Sequence, residues 1–275
     1  MNMKITRLFT HIFLIIFGII WVYPFIWMIA SSLKSNREFI TSGASLIPDE
    51  IHWENYERAW NVANFSGFFV NSVIITFGTV IIVVLLSCLT GYALGRVDFP
   101  GRNAVIGLIG LTMFIPEGYT VIPIYELIKM LGLNDSLFGV ILAESSGAHV
   151  LFILLFAAFF SRIPKEIEES ASIDGCGFFK TFYKIILPSA KPVIATAVIM
   201  QFIWTWSSFL IPLVLTLNKP ELSNLAVGML QFVGQHQTDW AGMAAGATIS
   251  LLPAVLTFII MQRYFIEGIA GAVKN

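Results

Sequence analysis

Two carboxylates, Glu117 and Glu144, lie inside stretches otherwise built of apolar residues. An ionised group at mid-helix in a membrane costs roughly 2.5–3.5 kcal/mol on insertion scales, so it marks either a hydrated path or a span end that reaches interfacial water. Both readings stay open here. Counting the rise of an α-helix, Glu117 lies about 20 Å beyond Ala104 and Glu144 about 10 Å beyond Leu137. If the chain reverses direction between them, the two fall at a similar depth and are able to line one water-filled cavity. His149, nearby, reads as a hydrogen-bonded core histidine rather than a proton relay. Further along, Gln201, Thr205 and Ser208 recur at i, i+4 and i+7, a polar stripe on one helical face, with Trp204 and Trp206 beside it. Aromatic faces next to hydrogen-bonding side chains suit sugar rings, which present C–H faces and hydroxyl edges. The same residue types also serve helix–helix contact in membranes. Glu117, Glu144, Gln201, Trp204, Thr205 and Ser208 are therefore the candidates for a solute pathway.

Other chemistry is missing from the pattern. No GxxxxGK[ST] phosphate loop occurs, and Gly175-Cys-Gly-Phe-Phe-Lys-Thr lacks the required Gly-Lys pair. Neither HExxH, GxSxG nor CxxC is present. The chain is expected to be no enzyme, to bind no metal or cofactor, and to rely on a separate polypeptide for any ATP hydrolysis.

The elements that position these residues follow from composition. The 275 residues are 57% hydrophobic and 12% charged, against about 25% charged in soluble domains. A net charge of −1 supplies no basic field for nucleic acid. Cys88 and Cys176 are expected to be free thiols. A crossing needs roughly 20 apolar residues, and six such stretches are expected, at about 11–33, 67–94, 104–128, 137–160, 193–217 and 241–261. Pro24 is expected to interrupt the first, and Pro116 to Gly118 with Pro123 the third. The first stretch is too long for a signal-peptide core of about 7–15 residues, so it reads as a retained helix. Trp53, Tyr56, Trp60 and Phe65 suit an interfacial position in the polar segment 34–66.

Charge placement sets the orientation. Lys4, Arg7, Arg96, Arg102, Arg162, Lys165, Lys180, Lys184, Lys191, Arg263 and Lys274 fall on one side, and Lys34, Arg37, Arg58, Lys129 and Lys219 on the other; together they are all 16 basic residues. Both termini and the stretch between the fourth and fifth spans are thereby expected in the cytoplasm.

That stretch, 163–188, reads as a helical hairpin. Pro164 suits a helix start. Ile163, Ile167 and Ala171 recur every fourth residue as an apolar face. Gly175 after Asp174 suits a left-handed helix end. Phe178, Phe182, Ile185 and Ile186 mark a second amphipathic run, which Pro188 should stop.

The hairpin resembles the cytoplasmic signature of membrane subunits of binding-protein-dependent ABC importers, a Glu-Ala-Ala triplet, three residues, Gly, nine residues, Ile, one residue and Leu-Pro. Here Glu169-Ser170-Ala171 leads to Gly175 and, nine residues on, to Ile185 and Leu187-Pro188, with Ser170 for the usual first Ala. Tyr92 to Arg96 with Phe99 to Arg102, Leu131 to Asp135, Arg162 to Glu169, and the ending from Gln262 resemble the carbohydrate-uptake branch, similar to the G subunit of maltose permeases. Trp206-Ser207-Ser208 and Glu117 depart from many members of that branch, at positions on the candidate solute pathway.

The resemblance implies an all-α, single-domain permease over 1–275, of six transmembrane helices with a cytoplasmic coupling helix–turn–helix, in a prokaryotic cell membrane. It also implies a heterodimer with a second permease, a cytoplasmic ATPase dimer carrying ATP and magnesium, and an extracytoplasmic solute-binding protein. Glu169, Ala171, Asp174, Gly175, Ile185, Leu187 and Pro188 would couple to the ATPase, with Glu169 pairing a basic residue there. The cargo implied is a sugar or oligosaccharide. Another polar solute, such as a glycerophosphodiester or polyol, is the alternative within the family. A self-contained secondary transporter is the alternative outside it.

Overall fold

The computed structural model describes residues 2–146, 149–234 and 237–273, the side chains of residues 2–6 and 263–273, Val62, Glu117 and His149 excepted. In an apolar solvent a backbone must satisfy its own N–H and C=O groups, and helices do so within one segment. The described residues are accordingly helical, with an isolated bridge between Val233 and Thr238. In chain order the helices are α1 (Asn2–Ser31), α2 (Asn36–Thr41), α3 (Glu54–Glu57), α4 (Phe65–Arg96), α5 (Arg102–Thr112), α6 (Glu117–Met130), α7 (Leu137–Glu144) and α8 (His149–Ser161). There follow α9 (Lys165–Ile173), α10 (Phe178–Thr181), α11 (Leu187–Ser189), α12 (Lys191–Trp206), α13 (Leu210–Leu215), α14 (Leu225–Gly228) and α15 (Trp240–Val273).

Among the described residues three helices are long and apolar enough to cross a membrane unaided: Arg7–Ser31 of α1, the whole of α4, and Trp240–Gln262 of α15. The break expected at Pro24 does not occur. Proline removes one i→i−4 hydrogen bond, and α1 carries that loss without ending, as α15 does at Pro253.

The other three expected spans are not continuous helices. The third stops at Thr112 and restarts at Glu117, the fourth stops at Glu144 and restarts at His149, and the fifth stops at Trp206 and restarts at Leu210. Each break has a local cause. Pro116 has an extended ψ of 135° and precedes the new helix. Ser145 and Ser146 follow Glu144, and the Ser146 hydroxyl donates back to the Ala143 carbonyl at 2.6 Å. Ser207 donates to the Ile203 carbonyl at 2.7 Å, and the Pro212 ring is incompatible with a helical carbonyl four residues earlier, at Ser208. The freed Ser208 carbonyl accepts from Asn224 Nδ2 at 2.7 Å.

By packing, the chain falls into two units, residues 1–67 with 228–252, and residues 68–227 with 253–275. In the first, Asn55 Nδ2 donates to the Ser32 and Lys34 carbonyls at the end of α1, which have no partner within that helix. Lys34 is fully buried, and its ammonium donates to Ser42 Oγ and the Ser45 carbonyl. Arg58 grips Asp239 through two hydrogen bonds, and Asp239 accepts from the Gly242 N–H at the start of α15. Trp53 is exposed, whereas Phe65 is buried on Phe232, so the expected aromatic run does not share one environment.

In the second unit α4 packs closely on α8. A Cβ at Gly91 would stand 2.4 Å from Phe156 Cβ, and one at Gly95 would stand 2.7 Å from the Ala157 carbonyl oxygen. Gly91-x-x-x-Gly95 thus serves as a small-residue contact between helices. Around it Val83, Cys88, Tyr92, Phe152, Phe156, Phe160 and Ile186 form an apolar core. The loop after α13 is tied down by Asn71, whose amide donates to the Glu221 and Ser223 carbonyls, and by Ser72, which accepts from the Leu225 N–H.

Candidate functional site

The breaks in the third, fourth and fifth stretches converge. Gly118, Thr120, Val121 and Ile124 of α6, Ala143, Glu144 and Ser146 at the end of α7, and Gln201, Trp204 and residues 207–211 around the α12–α13 break line one cavity of about 510 Å³. That lies within the range of small-molecule sites, roughly 300–1,000 Å³. Irregular backbone at membrane depth is tolerated where it lines a cavity.

The polar groups there are arranged by their neighbours. Ser208 Oγ donates to Glu144 Oε1 at 2.6 Å, joining the breaks of the fourth and fifth stretches. Gln201 Nε2 donates to Thr205 Oγ1 at 2.8 Å, and Gln201 Oε1 has no hydrogen-bond partner. The stripe at 201, 205 and 208 is thereby divided. Gln201 and Ser208 line the cavity, while buried Thr205 orients Gln201 from behind. The two tryptophans part as well. Trp204 lines the cavity and packs on Phe152 with ring centroids 5.5 Å apart. Trp206 is buried, stacked on Phe202 at 5.5 Å and 8°. Glu117 opens α6 beside the lining residue Gly118; its side chain, like that of His149, lies outside the described residues.

The hairpin is a second structured feature. Gly175 has φ +75°, its N–H bonds to the Ser172 carbonyl, and the Cys176 N–H bonds to the Ala171 carbonyl at 2.9 Å. This paired closure is a Schellman motif, and a positive φ at the glycine is what it requires. The face turned to the protein is the expected one in part, since Ile163 packs on the core and only Ile167 turns away. Ala171 is buried and Glu168 half-buried, while Ile167 is largely exposed. The cause is electrostatic. Arg96, with its side chain 4% exposed, binds both Glu168 oxygens, at 3.0 and 2.6 Å, and donates to the Ile163 carbonyl at 2.6 Å. Tyr92 Oη adds a bond to Glu168 Oε1 at 3.0 Å. A bidentate arginine–carboxylate pair at a shielded site outweighs burial of one isoleucine.

Glu169 and Asp174 point into solvent beside the turn. Ile173 and Phe179 stand there 87% and 82% exposed. Pro188 does not stop the second helix as expected. The missing N–H is absorbed by a π turn over Phe182–Ile186, in which Leu187 N–H reaches the Phe182 carbonyl, and the helix continues to Ser189. The chain bends by 74° after that, into α12. Ile185 and Leu187 are half-buried against the α4–α8 core.

Residues 68–270 match the family of binding-protein-dependent transport system inner membrane components. This chain belongs to that family. It is 36% identical, over 96% of its length and 87% of the relative's, to a probable ABC transporter permease protein, YurM, of Bacillus subtilis. It is 32% identical, over 97% of its length and 87% of the relative's, to the diacetylchitobiose uptake system permease protein NgcG of Streptomyces coelicolor. The crystal structure of a bacterial ABC transporter involved in import of the acidic polysaccharide alginate has a chain that superimposes with a TM-score of 0.81 at 23% identity, over 95% of this chain and 97% of that one. The permease is thus an all-helical, multi-pass transport subunit and not an enzyme.

The sequence pointed to Glu144, Gln201, Trp204 and Ser208, which the fold gathers around one cavity. It passed over three features. Gly91 and Gly95 carry a readable spacing. Ser145-Ser146-Gly147 is a readable helix-breaking cluster. The Arg96–Glu168 pair spans 72 residues of chain and has no local signature.

Proposed function

We propose that the permease carries a sugar or oligosaccharide, handed over by an extracytoplasmic solute-binding protein, through the cavity at the three helix breaks. One observation carries this reading. Three interrupted stretches bring a carboxylate, an amide, a hydroxyl and an indole face to the same space of about 510 Å³. Saccharides bind through such a set, with hydroxyls on acceptors and C–H faces on aromatic rings. The relative from Streptomyces coelicolor, a diacetylchitobiose uptake permease, supports the same cargo class.

In this reading the chain is one permease domain over 1–275. It crosses a prokaryotic cell membrane six times, with the interrupted stretches as broken spans and both termini in the cytoplasm. A second permease completes a heterodimer. The hairpin is the coupling element for a cytoplasmic ATPase dimer, which binds the ATP and magnesium. Ile173 and Phe179 offer apolar surface, and Glu169 and Asp174 offer charge, on the side away from the Arg96–Glu168 attachment. Ala171, Gly175, Ile185, Leu187 and Pro188 set the turn and seat the hairpin, so that movement at the ATPase passes into α4 and α12.

The test is reconstitution of the four components in liposomes. ATP-dependent accumulation of a labelled saccharide is expected, and Glu169→Lys should cut ATPase co-purification while the two permeases still pair. Accumulation without ATP would favour the secondary-transporter alternative. Orientation is checked by Ser172→Cys and Asn218→Cys, both exposed sites, in a background lacking Cys88 and Cys176. An impermeant thiol reagent outside cells should label position 218 and spare 172.

A further inference from the structure

The loop after α2 is tied to α1 well short of the end of that helix. The Trp27 indole N–H donates to the Gly43 carbonyl at 3.1 Å, and Tyr23 Oη donates to the Ala44 carbonyl at 2.8 Å. Tyr23 lies about 12 Å back along the axis from Ser31, the last residue of α1, at 1.5 Å per residue. The loop therefore folds down beside the helix rather than away from it. The 25 residues of Arg7–Ser31 are about 37 Å long, a few Å more than the hydrocarbon of a bilayer, about 30 Å. In a crossing helix of that length Tyr23 and Trp27 fall inside the membrane boundary, at the level where aromatic belts form. The loop is carried there with them.

The backbone of the loop is prepared for such a place. The Ser42 carbonyl accepts from the Ser45 N–H at 3.1 Å, and the Ser45 carbonyl accepts from the fully buried Lys34 ammonium at 2.7 Å. The Ile47 carbonyl accepts from Ser45 Oγ at 3.2 Å. From Ser42 to Ser45, successive carbonyls are thus met by protein donors, three of them on long side chains from α1 or just past its end. A loop in water needs no such provision, because water pairs with its exposed acceptors. Where water is scarce each unmet acceptor is costly. The side chains agree with the backbone. No residue from Phe39 to Pro48 is ionisable, and Ile40, Leu46 and Ile47 are 64%, 38% and 80% exposed.

We propose, resting on the reading that α1 crosses the membrane, that the segment 40–47 is sunk in the interfacial layer at the Ser31 end of α1, with Ile40, Leu46 and Ile47 against lipid. In the orientation given above that is the outer leaflet. The segment anchors α1. Residues 7–26 of that helix are exposed along their whole length, so packing within the chain does not set how deep it sits. Interfacial anchors set the depth of such a helix.

The experiment places a nitroxide spin label at Ile47→Cys, with Ile19→Cys and Glu54→Cys as references, in the importer lacking Cys88 and Cys176. Ile19 is exposed near the middle of α1. Exposed Glu54 follows His52, whose N–H meets the Leu33 carbonyl past the helix end. Each protein is labelled in detergent, assembled and reconstituted in liposomes. Collision rates are then measured with oxygen, which concentrates in hydrocarbon, and with a water-soluble nickel chelate. The oxygen-to-nickel ratio at position 47 should exceed that at 54 by about threefold or more, and should be highest at 19. A ratio at 47 equal to that at 54 puts the loop in water and overturns the proposal, leaving α1 as a span. Shielding of position 47 from both reagents shows a protein partner there and overturns it as well. A ratio at 19 as low as that at 54 overturns the crossing of α1, and the proposal with it.

Discussion

The hairpin and the cavity are both assembled from polar residues in an apolar chain, yet they use them in opposite ways. At the hairpin the polar groups are consumed. Arg96, Tyr92, Glu168 and the Ile163 carbonyl satisfy one another, and apolar side chains such as Ile173 and Phe179 are left facing outward. At the cavity the lining is mixed, with Val121, Ile124, Trp204, Phe209, Leu210 and Ile211 beside Glu144, Gln201 and three serines. Thr205 and Trp206 are buried behind it, while Gln201 Oε1 is left without a partner. A surface with its hydrogen bonds closed and its hydrocarbon exposed suits association with another protein. A concave surface that mixes apolar and hydrogen-bonding groups suits a small hydroxylated ligand. The contrast also separates two adjacent carboxylates: Glu168 anchors the hairpin, and Glu169 is exposed.

The contrast is broken most severely at Arg96. Arg96→Ala leaves Glu168 shielded without its counter-charge, and removing one partner of a buried pair costs about 3 kcal/mol or more. The purified permease should lose thermal stability, and the ATPase should co-purify poorly although Glu169 is intact. A full loss of coupling with unchanged stability would place Arg96 at the partner surface instead. Next comes Gly91→Leu, which drives side-chain atoms into Phe156 and the Ala157 backbone. Overpacking of this kind costs about 1–3 kcal/mol, read as a lower melting temperature with the cavity chemistry untouched. Gly175→Val is smaller still. Nothing lies within 4 Å of a Cβ there, so the cost is conformational alone, from φ +75°, and is about 1–2 kcal/mol. It should act on coupled ATP hydrolysis more than on melting.

The smallest effect lies away from both regions. The His52 side chain bonds Glu54 and holds its carboxyl below the usual range. A depressed folded-state pKa contributes stability above the unfolded value of about 4.3, lost as pH falls through the folded one. Glu54 is exposed, so the wild type should melt only slightly above His52→Ala at pH 7, and the two should melt alike well below pH ~4.3.

The two regions were not equally legible in the sequence. The hairpin turn could be read because Asp174-Gly175 is a local signal for a left-handed helix end, and φ +75° at Gly175 agrees with it. Its inward face was misread at Ile167 alone. Periodicity favoured Ile167, and only the distant Arg96 explains why Glu168 turns in. The cavity residues were found one at a time, because an ionisable or amide side chain in an apolar stretch stands out. A shared depth for Glu117 and Glu144 was readable too, but not the meeting of their stretches with the fifth. It depends on breaks at Ser146 and Ser207, where small hydroxyl side chains bond back to the preceding turn, and a hydropathy window reads straight across them. Pro24 and Pro253 gave the opposite lesson. A single lost hydrogen bond does not end a long apolar helix.

The central claim is that the three breaks line one path through which cargo passes. It is tested by placing one cysteine at each break, Gly118→Cys, Ser146→Cys and Leu210→Cys, in the assembled importer without Cys88 and Cys176. ATP-driven saccharide uptake is measured before and after reaction with a bulky, water-soluble thiol reagent. The account predicts that all three react and that each modification blocks uptake, while modification at exposed Asn218 leaves uptake intact. Reaction at all three positions with uptake unchanged would contradict it.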